Sequence, residues 1–259
     1  MAPRPWRRAE NREFPPRPVA RTVPAEPSAA ERGRAWLAHM VTATGAVFAV
    51  LALIAVAEHQ WRAALLWMAA AGAVDAADGF VARWAEVERV LPEFDGALLD
   101  NIIDFLSYVI VPAFLMYEAA LLPAAWEIVG PAAITLASAY QFCRADAKTE
   151  DHFFTGFPSY WNVLVFYLLL LETGPWLNLA VVAVLCALVF VPFRYVYPSR
   201  TVPFRRLTLA ATAVWGLLCM VALARYPAHS PALLAVSLLY IPFYVGVSIA
   251  ARRAEPQPR

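Results

Sequence analysis

Hydrophobic and polar positions fall in long blocks along this chain. Eight apolar segments, near 35–57, 61–83, 96–118, 120–141, 158–173, 175–194, 207–224 and 231–251, are separated by short polar stretches. About 20 residues of helix span a hydrocarbon core, and backbone groups in lipid must bond within their own segment. Blocks of this length therefore predict membrane helices. The period-2 alternation of a membrane barrel is absent. The expected fold class is all-α, a polytopic integral membrane helical bundle of about eight transmembrane helices. The segment at 158–173 is the shortest. No internal repeat stands out.

Composition supports this pattern. Of 259 residues, 61% are hydrophobic and 16% charged, and mean hydropathy is +0.55. A soluble domain is about half apolar and about a quarter charged. A net charge of +1 gives no reason to expect a nucleic-acid partner. Cys143, Cys186 and Cys219 form no CxxC pair and are odd in number, so buried apolar thiols are expected rather than disulfides or a zinc site. Residues 1–33 hold seven of the 21 prolines, many arginines and no apolar run. They are expected to be a disordered cytoplasmic tail, not a secretory signal. The membrane domain is expected over 34–252, with a short cytoplasmic tail at 253–259.

Lysine and arginine set the orientation. With the N-terminal tail inside, 19 of the 21 basic residues lie in the two tails or in the loops after helices two, four and six. Only Arg62 and Arg225 fall outside. Both termini are therefore expected in the cytoplasm.

Acidic residues inside membrane segments are costly and usually functional. Asp75, Asp78, Asp100, Asp104 and Glu127 lie within the apolar segments, four of them in one stretch of thirty residues. Asp75 and Asp78 are spaced i,i+3, and Asp100 and Asp104 i,i+4, so each pair shares a helix face. A short loop joins the two helices, so both pairs face each other at similar depth. Four carboxylates there would repel one another and lose hydration. Divalent cations remove both problems, and oxygen-only ligands favour Mg²⁺ or Mn²⁺ over zinc. There is room for two ions. Gly79 and Ala82 thin the helix surface beside the acids, as does Gly96 one turn before Asp100. Arg83 adds a positive charge suited to phosphate. The competing account is helix-packing glycines with a buried proton relay.

The run Asp75-x2-Asp78-Gly79-x2-Ala82-Arg83, twelve residues, then Gly96-x3-Asp100-x3-Asp104 resembles the signature of the CDP-alcohol phosphotransferase family. Its gap is longer than the usual eight or so. The longer gap, the flanking segments 89–96 and 104–109, and the stretch from Lys148 to Asn162 are similar to the bacterial phosphatidylcholine synthase branch. The resemblance implies transfer of the phosphatidyl group of CDP-diacylglycerol to an alcohol, choline for this branch, with release of CMP. It implies metal and pyrophosphate binding by Asp75, Asp78 and Asp100, and a general base in Asp104, which also serves as a metal ligand. Gly79, Ala82, Arg83 and Gly96, with Asp75, would border the nucleotide. The resemblance also suggests a homodimer in the bacterial inner membrane, with its active site on the cytoplasmic side.

The acceptor needs its own pocket. A quaternary ammonium has no hydrogen to donate, so aromatic faces suit it. Phe153, Phe154, Phe157, Tyr160 and Trp161 precede or begin helix five, and Tyr108 lies one turn beyond Asp104. Interfacial anchoring or core packing would also account for aromatics here. Asn162 is a candidate for orienting a hydroxyl, and Lys148 for holding phosphate. His152 is the histidine closest to the site in sequence and is expected to be a loop residue. The rival functions are the same transfer to serine, glycerol 3-phosphate or an inositol phosphate, a membrane prenyltransferase, and an ion-coupled transporter. The prenyltransferase fits poorly, because its aspartate motifs lie on distant helices. A transporter predicts repeats and broken helices that are not evident.

Overall fold

The computed structural model describes residues 26–147, 149, 153–198, 201, 203–228 and 230–254, and every one of the eight apolar segments carries a helix. These are α1 (Ala29–Ala57), α2 (Trp61–Trp84), α3 (Gly96–Glu118), α4 (Val129–Cys143), α5 (Trp161–Leu170), α6 (Pro175–Phe190), α7 (Arg205–Ala224) and α8 (Pro231–Ala254). Five of them, α1, α2, α3, α7 and α8, are long and apolar enough to cross a membrane, as in an integral membrane protein. The others are shorter than the segments that predicted them, at 15 residues for α4, 10 for α5 and 16 for α6. At about 1.5 Å per residue, ten residues cover only about half of a hydrocarbon core.

Local chemistry sets these boundaries. Helix α1 starts at Ala29, ahead of the expected 35, because Ser28 and Glu31 form a capping box. The Ser28 Oγ accepts the Glu31 N–H, and the Glu31 carboxylate accepts the Ser28 N–H at 2.8 Å. Pro123 opens a 3₁₀ turn, Ala124–Trp126, so α4 begins only at Val129 and Glu127 precedes it rather than lying within a helix. Helix α6 stops at Phe190 because Pro192 disfavours helical backbone at Val191, which is extended. Helix α3 is α-helical over Gly96–Phe105, widens to a π turn over Leu106–Ile110, and resumes over Val111–Glu118. Pro112 lies just beyond the π turn. It has no N–H for the Tyr108 carbonyl, and its ring would crowd that carbonyl in a regular helix.

The fold is not purely helical. A two-stranded antiparallel sheet pairs β1 (Phe153–Thr155) with β2 (Arg194–Val196), Phe153 opposite Val196 and Thr155 opposite Arg194. Gly156 follows β1 at φ +81, where a Cβ would lie 2.3 Å from the Val189 carbonyl oxygen. Its N–H donates to the Phe193 carbonyl at 2.8 Å. Gln141 Nε2 donates to the Thr155 carbonyl at 2.7 Å, fixing the sheet to the end of α4.

Helices α1 and α2 run antiparallel along their lengths. Helix α3 packs across α1 at Gly45, where a Cβ would come within 2.8 Å of Ile103. Polar side chains link helices within the apolar interior. Trp215 on α7 donates to the Tyr167 hydroxyl on α5, which donates to Ser237 on α8, both at 2.9 Å. Such bonds join helices where lipid offers no hydrophobic drive between them. Large side chains such as Phe80, Leu136 and Trp176 face outward, as expected of a lipid-facing surface. The cysteines are free, but Cys143 is exposed and Cys186 and Cys219 are only partly buried, rather than all three being buried.

Candidate active site

The last turns of α2 carry Asp75, Asp78, Gly79, Ala82 and Arg83, and the first turns of α3 carry Asp100 and Asp104. The connection 85–95 turns the chain back through Glu86 in left-handed conformation and a one-turn helix, Val87–Val90. Asp95 then caps α3 by accepting the Leu98 N–H at 2.9 Å. The connection is held against α1. Arg89 pairs with Glu31 at 2.7 Å and also with Glu86, while Val90 and Leu91 pack on Ala35. Donating hydrogen bonds to the Glu31 and Glu86 carboxylates raises the Arg89 pKa above its ordinary value.

This turn brings Asp75, Asp78 and Asp100 to one point, with one carboxylate oxygen of each within 4.8 Å of the others. Asp78 is buried, and the other two are half-buried. An all-oxygen set at this spacing is compatible with a divalent metal ion. Asp104 lies outside that triplet, one turn further along α3 and near enough to Tyr108 to interact with it electrostatically. Tyr108 donates its hydroxyl to Asp75 Oδ2 at 2.7 Å, so α3 orients a carboxylate of α2.

The triplet opens into a cavity of about 1990 Å³. Gly79, Ala82, Arg83, Gly96, Tyr108, Tyr160 and Asn162 line it together with the three aspartates. Asp104 is not among the residues that line the cavity, and two further candidates from the sequence stand apart. Trp161 is fully buried, donates its indole N–H to Ser138 at 2.7 Å and does not border the cavity. Its role here is to pack. Lys148 lies outside the described residues, as do His152, Arg200 and residues 1–25 of the N-terminal tail.

Among the described residues, His39 is the histidine that borders the site, and sequence reasoning missed it. It is 6% exposed, borders the cavity, and its Nε2 has no hydrogen-bond partner. Its ring packs against Phe94 at 4.5 Å and Trp36 at 6.0 Å. Gly96 passes so close that a Cβ there would lie 2.7 Å from the His39 Cε1. The available signal was the spacing of His39, Thr42 and Gly45, which places all three on one face of α1.

Residues 35–193 match the family model described as CDP-alcohol phosphatidyltransferase. The chain is 42% identical to a phosphatidylcholine synthase of Legionella pneumophila over 221 residues, 83% of this chain and 87% of that one. It is 38% identical to a phosphatidylcholine synthase of Pseudomonas aeruginosa over 218 residues, 84% and 92% of the two chains. With a phosphatidylcholine synthase of Rhizobium meliloti it shares 37% over 190 residues, 73% and 79%.

Proposed function

The chain belongs to the CDP-alcohol phosphatidyltransferase family, and from that membership we propose that it is a phosphatidylcholine synthase. It transfers the phosphatidyl group of CDP-diacylglycerol to choline and releases CMP. The observation that carries this reading is the convergence of Asp75, Asp78 and Asp100 at the mouth of a large, mostly apolar cavity. It gains support from the names of relatives that align over most of their own length.

The donor set fits hard divalent ions, Mn²⁺ or Mg²⁺, two per site, held by Asp75, Asp78, Asp100 and Asp104. When bound, the ions neutralise the pyrophosphate charge that grows as CMP departs. Asp104 takes the proton of the choline hydroxyl, a poor nucleophile until deprotonated. Tyr108 holds Asp75 in position through its 2.7 Å hydrogen bond, a support that orients a ligand carboxylate. Arg83 faces the phosphates. Gly79, Ala82 and Gly96 let the nucleotide approach the backbone, and His39 Nε2 gains its missing hydrogen-bond partner there. Leu164, Leu168, Leu185 and Leu209 line the apolar part of the cavity and hold the acyl chains. Tyr108, Tyr160 and Asn162 border the acceptor, and Lys148 contributes a positive charge to it.

The arrangement in the membrane follows from the charge pattern. All eight helical segments are embedded in the bacterial inner membrane, the shorter ones partway. Both tails and the catalytic end of α2 and α3 are cytoplasmic, and the enzyme works as a homodimer.

The test is a product assay in membranes of a bacterial host that makes no phosphatidylcholine. CDP-diacylglycerol and Mn²⁺ are supplied with labelled choline, and in parallel with serine, glycerol 3-phosphate or inositol phosphate. Label in phosphatidylcholine that depends on CDP-diacylglycerol is the expected result. Label from another alcohol alone would keep the family chemistry and overturn the acceptor.

A further inference from the structure

Four tyrosines from separate parts of the chain line the cavity beside Asp75: Tyr108 on α3, Tyr160 before α5, Tyr197 after β2 and Tyr244 on α8. All four are half-buried. The Tyr108 and Tyr160 ring centroids lie 6.4 Å apart, and Tyr197 is backed by Phe154, stacked at 4.6 Å. Two hydroxyls are fixed. That of Tyr108 donates to Asp75 and that of Tyr244 to the Val196 carbonyl, each at 2.7 Å. The Tyr160 and Tyr244 side chains are near enough to interact electrostatically. Tethering the hydroxyls holds the rings in place.

An aromatic belt at a membrane interface turns its rings toward headgroups, whereas these rings border an interior cavity. Among the described residues, the basic side chains lining that cavity are Arg83, Arg89 and His39. All three belong to α1, the end of α2 or the loop after it, so none stands on the elements that carry the tyrosines. Among the described residues, no cation stands on this wall to meet a phosphorylated acceptor. A trimethylammonium group has no N–H to donate and is attracted to aromatic faces.

We infer that Tyr160, Tyr197 and Tyr244, with Tyr108 at the catalytic edge, form the site for the acceptor's quaternary ammonium. This rests on the phosphatidyl-transfer reading and deepens it. The acceptor lies with its cation on the tyrosine wall and its hydroxyl, two carbons away, toward Asp104. The family model ends at residue 193, before Tyr197 and Tyr244. Donor chemistry is therefore carried by the family segment, while acceptor choice draws on Tyr108 and Tyr160 within it and on Tyr197 and Tyr244 beyond it.

The test measures steady-state kinetics of the full chain in detergent with CDP-diacylglycerol, Mn²⁺ and choline, for Tyr197→Leu, Tyr244→Leu and the matching Tyr197→Phe and Tyr244→Phe. Each Leu variant is expected to raise KM for choline about 10-fold, the scale of a desolvated cation–π contact. KM for CDP-diacylglycerol should hold, and the Phe variants should recover most of the loss. Ethanolamine, whose ammonium keeps its hydrogens, should lose less than choline in the Leu variants. Leu variants with unchanged choline KM would overturn the assignment, as would an equal rise in both KM values or failure of Phe to recover it. Wild-type enzyme that is inactive on choline would sink the functional reading and the site together. Normal wild-type turnover with indifferent variants would sink the site alone.

Discussion

Replacing Gly96 by alanine tests whether the signature glycine serves packing between α1 and α3. The added Cβ would sit 2.7 Å from the His39 Cε1 and 3.2 Å from Nδ1, where ordinary contact begins at 3.4 Å. The ring has little room to retreat, because it is 6% exposed and packed between Phe94 and Trp36. Alanine near a helix start gains at most a few tenths of a kcal/mol in propensity. Overpacking by one methyl typically costs about 1–3 kcal/mol. The net expectation is destabilisation by about 1–2 kcal/mol. The assay is reversible unfolding in mixed micelles of wild type, Gly96→Ala, His39→Ala and the double variant. Removing the imidazole removes the obstacle, so the double variant should be more stable than the sum of the singles by at least about 1 kcal/mol, as for residues in direct contact. A silent Gly96→Ala, or additive effects, would refute the packing argument. Normal stability with weakened CMP binding would assign the glycine to the nucleotide alone.

Other expectations follow from the same geometry. Asp104→Asn should lower turnover by about 10²–10⁴-fold, the usual contribution of a general base, while CMP binding measured by calorimetry survives; near-normal turnover would remove Asp104 from that role. Chelation by EDTA should stop the reaction, and Mn²⁺ or Mg²⁺ should restore it; full activity of thoroughly stripped protein would defeat the metal assignment. Tyr108→Phe should raise the metal concentration for half-maximal activity about 10-fold, the lower end for lost ligand orientation, and an unchanged metal titration would show that the bond to Asp75 is incidental.

The helices were legible because lipid forces each long apolar block to satisfy its own backbone. The aspartates were legible because charge in such blocks is rare and their spacing fixes a shared face. Other features depend on contacts that no local pattern records. The start of α4 at Val129 follows from Pro123 and the turn after it, inside a run that is apolar throughout. The strand pair joins Phe153–Thr155 to Arg194–Val196 across two helices, and three residues are too few to show an alternation. His39 is one polar residue on an apolar helix, and its place at the site depends on the 85–95 connection folding Phe94 onto it. Trp161 sits among aromatics suited to a cation, yet its indole is turned inward to Ser138.

The π turn in α3 sets the phase between two halves of one helix. A π turn accommodates one extra residue, and one residue corresponds to about 100° of rotation in a regular helix. Asp100 and Asp104 precede it, whereas Val111 and Leu115, both fully buried, follow it. Straightening it into regular α-helix with every residue kept would leave every signature letter and its spacing unchanged. It would swing the second half of the helix by about a quarter turn, taking Val111 and Leu115 out of the core. The Pro112 that interrupts the helix is thus part of what allows one rod to carry the site carboxylates at one end and an interlocking apolar face at the other.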